Sequence, residues 1–478
     1  MINRTKTGAV LGLALALAGS LTGCKDPLNL APQQSIDAAT AYNTPQKIEA
    51  AVIGTYARLD QPRLYGTDLV LVPELLAGNS YVEWDGTFQN YSQLRNHTQV
   101  AANSIAEGIW TQAYTAINQC NLVLANADVV KEAALKRKLE GEVYFMRAAM
   151  YFELVRLYAQ QYQPAAANTQ PGVPLNLAAI TTIAQADVKL PRSTVQQVYN
   201  QVIADLQMAY AKLPAQNTAR ASKYSAEALL ARVYLQQGNY PLARAAADDV
   251  IGNSGASLAS SVGVVFTSRN SVESLFEIQQ NDQNNAGSSN DGLATFFAGY
   301  SPTGDQNVLY GRGDVRVAGA FASQYGDNDV RGTDSLSAIN TRKLIYLSDG
   351  NNKANRLRTL KWRTYGQNIP IIRLAEMYLI RAEADLRANL PAQALADINR
   401  LRNRSGASLL TSATVADVLH ERQLELAFEG FRIHDLRRTN GIVIPGNTPV
   451  LASADRFVLP IPQREINNNP LLTQNAGY

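Results

Sequence analysis

The chain has 478 residues, with 43 Lys plus Arg against 40 Asp plus Glu and a formal net charge of +3. Its 46% hydrophobic and 17% charged residues are enough to build a core, which excludes a globally disordered chain. The nearly balanced charge gives no reason to expect a nucleic-acid partner, because phosphate binding normally shows as a basic face or stripe.

The N-terminus has the anatomy of an export signal. Arg4 and Lys6 precede an apolar run from Ala9 to Ala18, which is too short to cross a membrane as a helix. Leu21-Thr22-Gly23-Cys24 then looks like a bacterial lipobox, in which cleavage before the cysteine leaves Cys24 as the acylated first residue. The alternative is an ordinary signal peptide with a chance cysteine. More than one acyl chain on Cys24 would anchor the mature protein stably to a membrane.

The segments that follow from this interpretation are a lipoprotein signal peptide, a polar tether and one large domain. The signal covers residues 1–23, the lipidated tether covers 24–36, and the domain covers 37–478. Within the domain, helical periodicity occurs over 37–59, 105–251 and 369–438. It is lost over 60–103 and 253–367, where Gly, Asn and aromatic residues accumulate and where a ligand-binding portion is expected, and residues 439–478 form a nonhelical tail.

Two similar helix pairs recur in the periodic regions. The first, Ser225 to Ile251, closely resembles a tetratricopeptide repeat, and the second is predicted over Ile369 to Gly406. Asn239 with Pro241 separates the first pair, and Asn389 with Pro391 occupies the equivalent place in the second. Because one helix pair cannot bury its own apolar face, repeated pairs indicate stacking. The predicted fold is therefore dominated by α-helices, as a tetratricopeptide-like solenoid with large irregular, loop-rich insertions.

The C-terminal half contains three distinctive stretches. They are IPIIRLAEMYLIRAEA at 369–384, ERQLELAFEGFR at 421–432, and LPIPQREI at 459–466 followed by a terminal QNAGY. Together with the lipobox, these stretches resemble the SusD/RagB family of outer-membrane nutrient-binding lipoproteins from Bacteroidetes. His434 stands where the family often has an aromatic residue, a small departure from its pattern.

The resemblance implies a binding function without chemistry. It implies a helical solenoid of about four repeats, an irregular ligand-binding portion, and a SusC-like TonB-dependent transporter as partner. The ligands of the family are mostly oligosaccharides, with peptides in some members. The expected location is the outer membrane, held by the lipid and facing the extracellular side, with no cofactor.

Sugars offer C–H faces to aromatic rings and hydroxyl groups to amides and carboxylates. The nonperiodic stretch 79–91 has that composition, and Trp84 is the leading candidate, although a loop aromatic that covers the solenoid explains it equally well. A second and weaker aromatic group follows near residue 300. The candidate ligand-binding residues are Tyr81, Trp84, Asp85, Asn90, Tyr91, Tyr300 and Tyr310.

A charged helix near the C-terminus invites two interpretations. Glu421, Glu425 and Glu429 recur at steps of four, so their carboxylates share one side of the helix. They are expected to form inter-helix ion pairs with arginines, which also cap carbonyl groups, rather than an acid/base site. The arginines considered for these roles are Arg373, Arg381, Arg432 and Arg437.

Enzymatic motifs are absent from the sequence. The three histidines form no zinc-binding motif, and there is neither a G-x-S-x-G elbow nor a phosphate-binding loop. The protein is therefore predicted not to be an enzyme. A surface glycosidase built on scattered carboxylates such as Glu83 and Asp85 stays a rival, because such pairs have no local spacing signature. A repeat scaffold that binds only proteins is a third alternative, and a metal that orders the loops stays open.

Overall fold

The computed structural model describes residues 41–78, 80–299, 311–333, 343–350, 353–445 and 448–478. The predicted signal peptide, the predicted lipidation site Cys24, and the candidate residues Tyr300 and Tyr310 lie outside these ranges. The helices are α1 Pro45–Leu59, α2 Asp68–Leu75, α3 Gln89–Asn96, α4 Ser104–Asn126, α5 Ala133–Tyr158, α6 Ile183–Ala186, α7 Val195–Lys212, α8 Lys223–Gln236, α9 Tyr240–Asn253, α10 Val262–Thr267, α11 Leu293–Phe297, α12 Gly319–Ala322, α13 Leu374–Arg387, α14 Pro391–Arg404, α15 Val415–Glu425, α16 Arg432–Arg438 and α17 Gln463–Asn468. The strands are β1 Val82–Trp84, β2 Ser274–Ile278, β3 Val315–Val317, β4 Ile345–Gly350, β5 Lys353–Thr359, β6 Ile369–Arg373, β7 Ile442–Val443 and β8 Val450–Leu451.

The longer helices form one continuous array in which each helix packs on its neighbours. α4 packs on α1 and α5, α5 on α7, α7 on α8, and α8 on α9. α9 then packs on α13, which contacts both α14 and α15. The predicted helix-dominated fold is confirmed, and the pairwise stacking is consistent with tandem repeats. No helix within the described ranges has the length and hydropathy of a membrane span.

The α8–α9 pair shows how the sequence builds one unit of this array. The hydroxyl of Ser222 accepts a hydrogen bond from the backbone N–H of Ser225 at 3.2 Å, which caps α8. The side chain of Asn239 caps α9 in the same way, and Pro241 occupies its first turn. Ala243 and Ala247 are fully buried, so the helices approach closely. The turn predicted at this position is confirmed.

The second predicted pair differs at its start, because Ile369–Arg373 is a strand rather than the first turns of a helix. β6 pairs antiparallel with β2, and all five of its residues are buried. Its branched residues Ile369, Ile371 and Ile372 suit a buried strand. α13 begins only at Leu374, so the prediction of a helix from residue 369 is wrong over five residues.

A second difference concerns the stretch from Val415 to Leu436, which the periodicity predicts as one helix. It divides into α15 and α16. Phe428 and Gly430 have φ angles of 67° and 85° between them, which end the first helix. The buried carboxylate of Glu74 accepts hydrogen bonds from the backbone N–H groups of Gly430 and Phe431 at 2.8 and 2.9 Å, and so holds the break in place.

The two segments predicted as loop-rich are more ordered than expected. Residues 60–103 contain α2, β1 and α3, and residues 253–367 contain α10 to α12 and β2 to β5. Within the described ranges, all strands belong to two-stranded sheets. The β1–β3 pairing joins the two segments, with Val82 opposite Val317 and Trp84 opposite Val315. Segments more than 200 residues apart in sequence therefore share one surface.

The C-terminal tail contains β7, β8 and the short helix α17, so it is not wholly irregular. It crosses back over the N-terminal helices. The backbone N–H of Leu459 donates to the carbonyl oxygen of Leu157 at 2.8 Å, and the side chain of Asn475 donates to the carbonyl oxygen of Tyr158 at 2.8 Å. The last residue, Tyr478, donates its hydroxyl to the carbonyl oxygen of Val458 at 2.6 Å.

Candidate ligand-binding surface

The β1–β3 ribbon separates an apolar face from a charged face. Trp84 and Val315 point into the core, whereas Glu83 and Arg316 lie opposite each other on the outer face. The guanidinium of Arg316 contacts the carboxylate of Glu83 and lies 3.2 Å from a carboxylate oxygen of Asp85. Arg95 from α3 joins this group at 3.0 Å from Glu83. The outer face therefore presents partly exposed charged groups whose positions are fixed by ion pairs.

Three of the sequence-predicted aromatic residues lie inside the core. Tyr81 and Tyr91 are 2% exposed and Trp84 is 9% exposed. Tyr81 stacks on Phe428 with ring centroids 5.5 Å apart, and Trp84 contacts Tyr91 at 4.8 Å. The prediction that these rings offer a face to a ligand is corrected by their burial, since protein atoms already occupy both sides. The packing alternative describes them better.

Tyr91 also has a polar structural role. Its hydroxyl donates to Asp68 at 2.7 Å, and Arg63 donates to the other oxygen of the same carboxylate at 2.8 Å. Burial raises the pKa of Asp68 to about 6, although Arg63 and Tyr91 oppose this shift. These three side chains hold α3 against α2. The hydroxyl of Tyr91 already donates to Asp68 and so has a partner within the protein.

Phe88 is the exposed aromatic residue of this region, with 41% of its surface accessible. It directly precedes α3, and its ring contacts those of Tyr91 and Phe296 at 6.3 and 6.4 Å. The guanidinium of Arg312 lies 4.7 Å from the centre of the Phe88 ring, while two of its nitrogens donate to Asp314 at 2.6 and 2.9 Å. Phe88 is thus a supported aromatic platform with a charged neighbour.

We call the outer face of the β1–β3 ribbon, together with Phe88 and its polar neighbours, the ribbon surface. Of the sequence-predicted residues, Asp85 and Asn90 belong to it. Asn90 is partly exposed and donates to the hydroxyl of Ser104 at 2.7 Å. The sequence prediction missed Phe88, although this residue lies within the stretch 79–91. It also missed Arg312 and Arg316, which come from the segment 253–367. The ribbon surface consists of Glu83, Asp85, Phe88, Asn90, Arg312 and Arg316.

The two carboxylates considered for a glycosidase are both held in ion pairs. Glu83 and Asp85 pair with the same guanidinium, that of Arg316. Within the described ranges, no group of three or more His, Cys, Asp or Glu side chains is placed to hold a metal ion. An exposed ring beside a guanidinium group offers an apolar face and hydrogen-bond donors, the two kinds of contact that a sugar accepts.

The structure defines a class of helix-dominated proteins in which the helices pack as one array and inserted segments carry the ribbon surface. A family model described as "SusD family" matches residues 321–478, and one described as "Starch-binding associating with outer membrane" matches residues 28–235. The chain belongs to the SusD/RagB family. The predicted family resemblance is thereby confirmed, and association with the outer membrane is a property of this family.

Curated relatives and solved structures agree with this assignment. SusD-like protein P2 of Formosa agariphila is 27% identical and aligns over 97% of this chain and 98% of its own length. Starch-binding protein SusD of Bacteroides thetaiotaomicron is 34% identical, but over 30% of this chain and 26% of its own. A putative sugar binding protein from Bacteroides vulgatus superposes with a TM-score of 0.77 at 24% identity, covering 92% of this chain and all of that one.

Proposed function

We propose that this protein is a cell-surface lipoprotein that binds oligosaccharides and delivers them to a SusC-like TonB-dependent transporter. The family membership supports this proposal, as do relatives whose names describe starch and sugar binding. The observation that carries it furthest is the exposed Phe88 ring, which lies beside the guanidinium of Arg312.

The ribbon surface would bind without chemical change to the ligand. The C–H face of a sugar packs on Phe88, while hydroxyl groups bond to Asp85, Asn90 and Arg316. The ion pairs and the ribbon hold these side chains before the ligand arrives, which lowers the entropic cost of binding. Capture of this kind leaves the glycan intact for import.

The test is calorimetric titration of the soluble form, starting at Lys25, against a panel of oligosaccharides and peptides. Phe88→Ala is expected to weaken saccharide binding about three- to tenfold, the effect of one aromatic contact. The melting temperature should change little, because Phe88 lies at the surface with 41% of its area exposed. Phe88→Tyr keeps the ring and serves as the matched control, and Leu409→Ala removes an exposed apolar side chain from another region.

The possible outcomes distinguish the alternatives. Binding of peptides alone would replace the glycan with the peptide alternative on the same architecture. Hydrolysis of a bound oligosaccharide during the titration would favour the glycosidase. Absence of binding to every ligand of the panel would contradict the proposal and leave a scaffold that binds proteins.

A further inference from the structure

An open cleft of about 510 Å³ lies beside the segment that joins β5 to β6. Its walls include Arg269, Asp282 and Arg363, and Tyr365 stands at its edge with 37% of its surface exposed. None of these residues belongs to the ribbon surface. An exposed aromatic ring beside charged side chains is the same combination that makes Phe88 a platform.

The loop that carries Tyr365 is held rigidly by two side chains. The amide oxygen of Gln367 accepts hydrogen bonds from the backbone N–H groups of Arg363 and Thr364 at 2.9 and 3.1 Å. Its amide nitrogen donates to the carbonyl oxygen of Lys361 at 2.7 Å. On the C-terminal side of Tyr365, Arg269 donates to the carbonyl oxygen of Gly366 at 2.6 Å. Tyr365 is thus presented in a fixed position, which lowers the cost of ordering it on binding.

The ring of Tyr365 packs against the backbone of Gly287. A Cβ atom built on Gly287 would lie 2.4 Å from Cδ1 of Tyr365, so the ring packs directly on a position where a larger residue would displace it. A Cβ atom built on Gly366 would likewise lie 2.4 Å from Oδ1 of the exposed Asp282, so this carboxylate packs directly on Gly366. Within the described ranges, the side chains of Asp282 and Arg363 make no hydrogen bond or ion pair, so both have capacity for hydroxyl groups.

The buried helix α11 contacts residues of both areas. Phe296 of this helix contacts Phe88, whereas Leu293 and Ala294 line a small cavity that Tyr365 also lines. A ligand that occupies both aromatic platforms therefore has to extend over the surface past this helix. Two linked contacts bind a long chain more tightly than a short one, because the second contact is intramolecular.

We propose that the Tyr365 cleft is a second saccharide-binding subsite, which takes a further part of the oligosaccharide bound at the ribbon surface. This inference rests on the proposed function. The ring of Tyr365 packs on a sugar face, and Asp282 and Arg363 bind its hydroxyl groups. The protein consequently prefers long oligosaccharides to short ones of the same linkage.

The experiment uses the soluble form starting at Lys25. Electrophoresis through gels that contain starch, xylan, laminarin, pectin or alginate identifies the polysaccharide that retards the wild type, and titration then uses short and long oligosaccharides of that linkage. Tyr365→Ala is expected to weaken binding of the long oligosaccharide about three- to tenfold and to leave the short one within about twofold. Tyr365→Phe keeps the ring and should bind as the wild type does. Asp282→Asn removes the charge from the polar half of the cleft and keeps a side chain of the same size over Gly366.

The results separate the two proposals. If the wild type is retarded and Tyr365→Ala binds long oligosaccharides as tightly as the wild type, the second subsite is wrong while the proposed function stands. If no polysaccharide retards the wild type, both are wrong. Equal weakening for short and long oligosaccharides would also overturn the subsite, because Tyr365 would then belong to the primary binding position. Unchanged melting of both Tyr365 variants excludes misfolding as the cause.

Discussion

At the scale of single residues, the direction of a side chain matters more than its type. Phe88 and Trp84 are four residues apart, yet one is 41% exposed and the other 9%. Trp84 is in a strand whose alternate residues face the core, where it contacts Tyr91 and Phe296 at 4.8 and 5.5 Å. Trp84 therefore stabilises the ribbon from beneath, and Phe88 is available to a ligand.

Trp84→Ala is expected to destabilise the protein by about 3–5 kcal/mol, because it leaves a cavity under the β1–β3 ribbon. Urea unfolding of the soluble form measures this loss. Phe88→Ala is the control, and it should unfold within about 0.5 kcal/mol of the wild type, as is usual for a surface substitution. A Trp84→Ala variant of unchanged stability that fails to bind saccharide would instead restore Trp84 as a contact residue.

The sequence could predict the region of the candidate site but not its members. Composition pointed to residues 79–91, and Asp85 and Asn90 do lie on the ribbon surface. β1 is only three residues long, too short for its alternation to separate Trp84 from Phe88. The partners Arg312 and Arg316 come from a segment more than 200 residues away, and no local pattern connects them to β1.

At the scale of elements, buried ion pairs join helices that the sequence treats separately. The predicted pairing of the Glu421 helix with arginines is confirmed for Arg373, which lies 2.6 Å from Glu425 and 2.7 Å from Glu429. Arg437 instead donates to the last carbonyl oxygens of α5, the capping role also predicted. Arg381 differs from the prediction, because it pairs with Asp397 and Asp248.

Burial would raise the pKa of Glu425, but Arg404, Arg373 and Arg331 hold it well below its usual value. In the same way Arg422 and Arg438 hold the pKa of the buried Asp435 at about 2 against the effect of burial. A carboxylate with a lowered pKa stabilises the fold above its unfolded pKa, and this stabilisation is lost as the pH falls towards the folded value. These pairs therefore make the junction of β6, α14, α15 and α16 sensitive to acid.

Asp435→Asn is expected to reduce stability at neutral pH by about 3–5 kcal/mol, because Arg422 and Arg438 lose a buried partner. Between pH 5 and pH 2 its stability should fall by about 2 kcal/mol less than that of the wild type, given the lowered pKa of Asp435. Urea unfolding at several pH values measures both effects. Asp187→Asn removes an exposed carboxylate and controls for the change in charge. Parallel pH profiles of the free energy of unfolding for the wild type and Asp435→Asn would refute the lowered pKa of Asp435.

Local patterns predicted the helix pairs but not the exceptions to them. The stripe through Leu374 and Tyr378 and the proline at 391 mark α13 and α14 correctly. The strand at Ile369–Arg373 depends on pairing with β2, which lies far earlier in the sequence, so tertiary contact overrides the helical period there. The break between α15 and α16 depends equally on the distant Glu74.

At the scale of the whole molecule, the proposed delivery to a transporter requires the protein to stay at the membrane. Pro45, where α1 begins, follows Cys24 closely in the sequence, so a lipid on Cys24 would keep the folded domain close to the membrane surface. Lipid attachment is therefore the simplest part of the proposed function to test in cells.

Cys24→Ala should release the protein from membranes into the soluble fraction, because Cys24 is the residue that the predicted lipobox would acylate. Detergent-free fractionation of cells followed by immunoblotting measures the distribution. Cys120→Ala is the matched control, since it removes the other cysteine, which is buried in α4, and should leave the protein on membranes. Retention of Cys24→Ala on membranes would show that the lipobox is not the anchor.

The crossing of the C-terminal tail over the N-terminal helices has a consequence for how the protein is made. The hydrogen bonds of Leu459 and Asn475 to the end of α5, and that of Gln99 to Tyr478, join positions that are synthesised far apart in time. These contacts form only when the last residues are available, whereas the helix pairs before them make contacts that are closer in sequence. The tail is thus expected to dock last, so that completion of the fold waits for the end of synthesis.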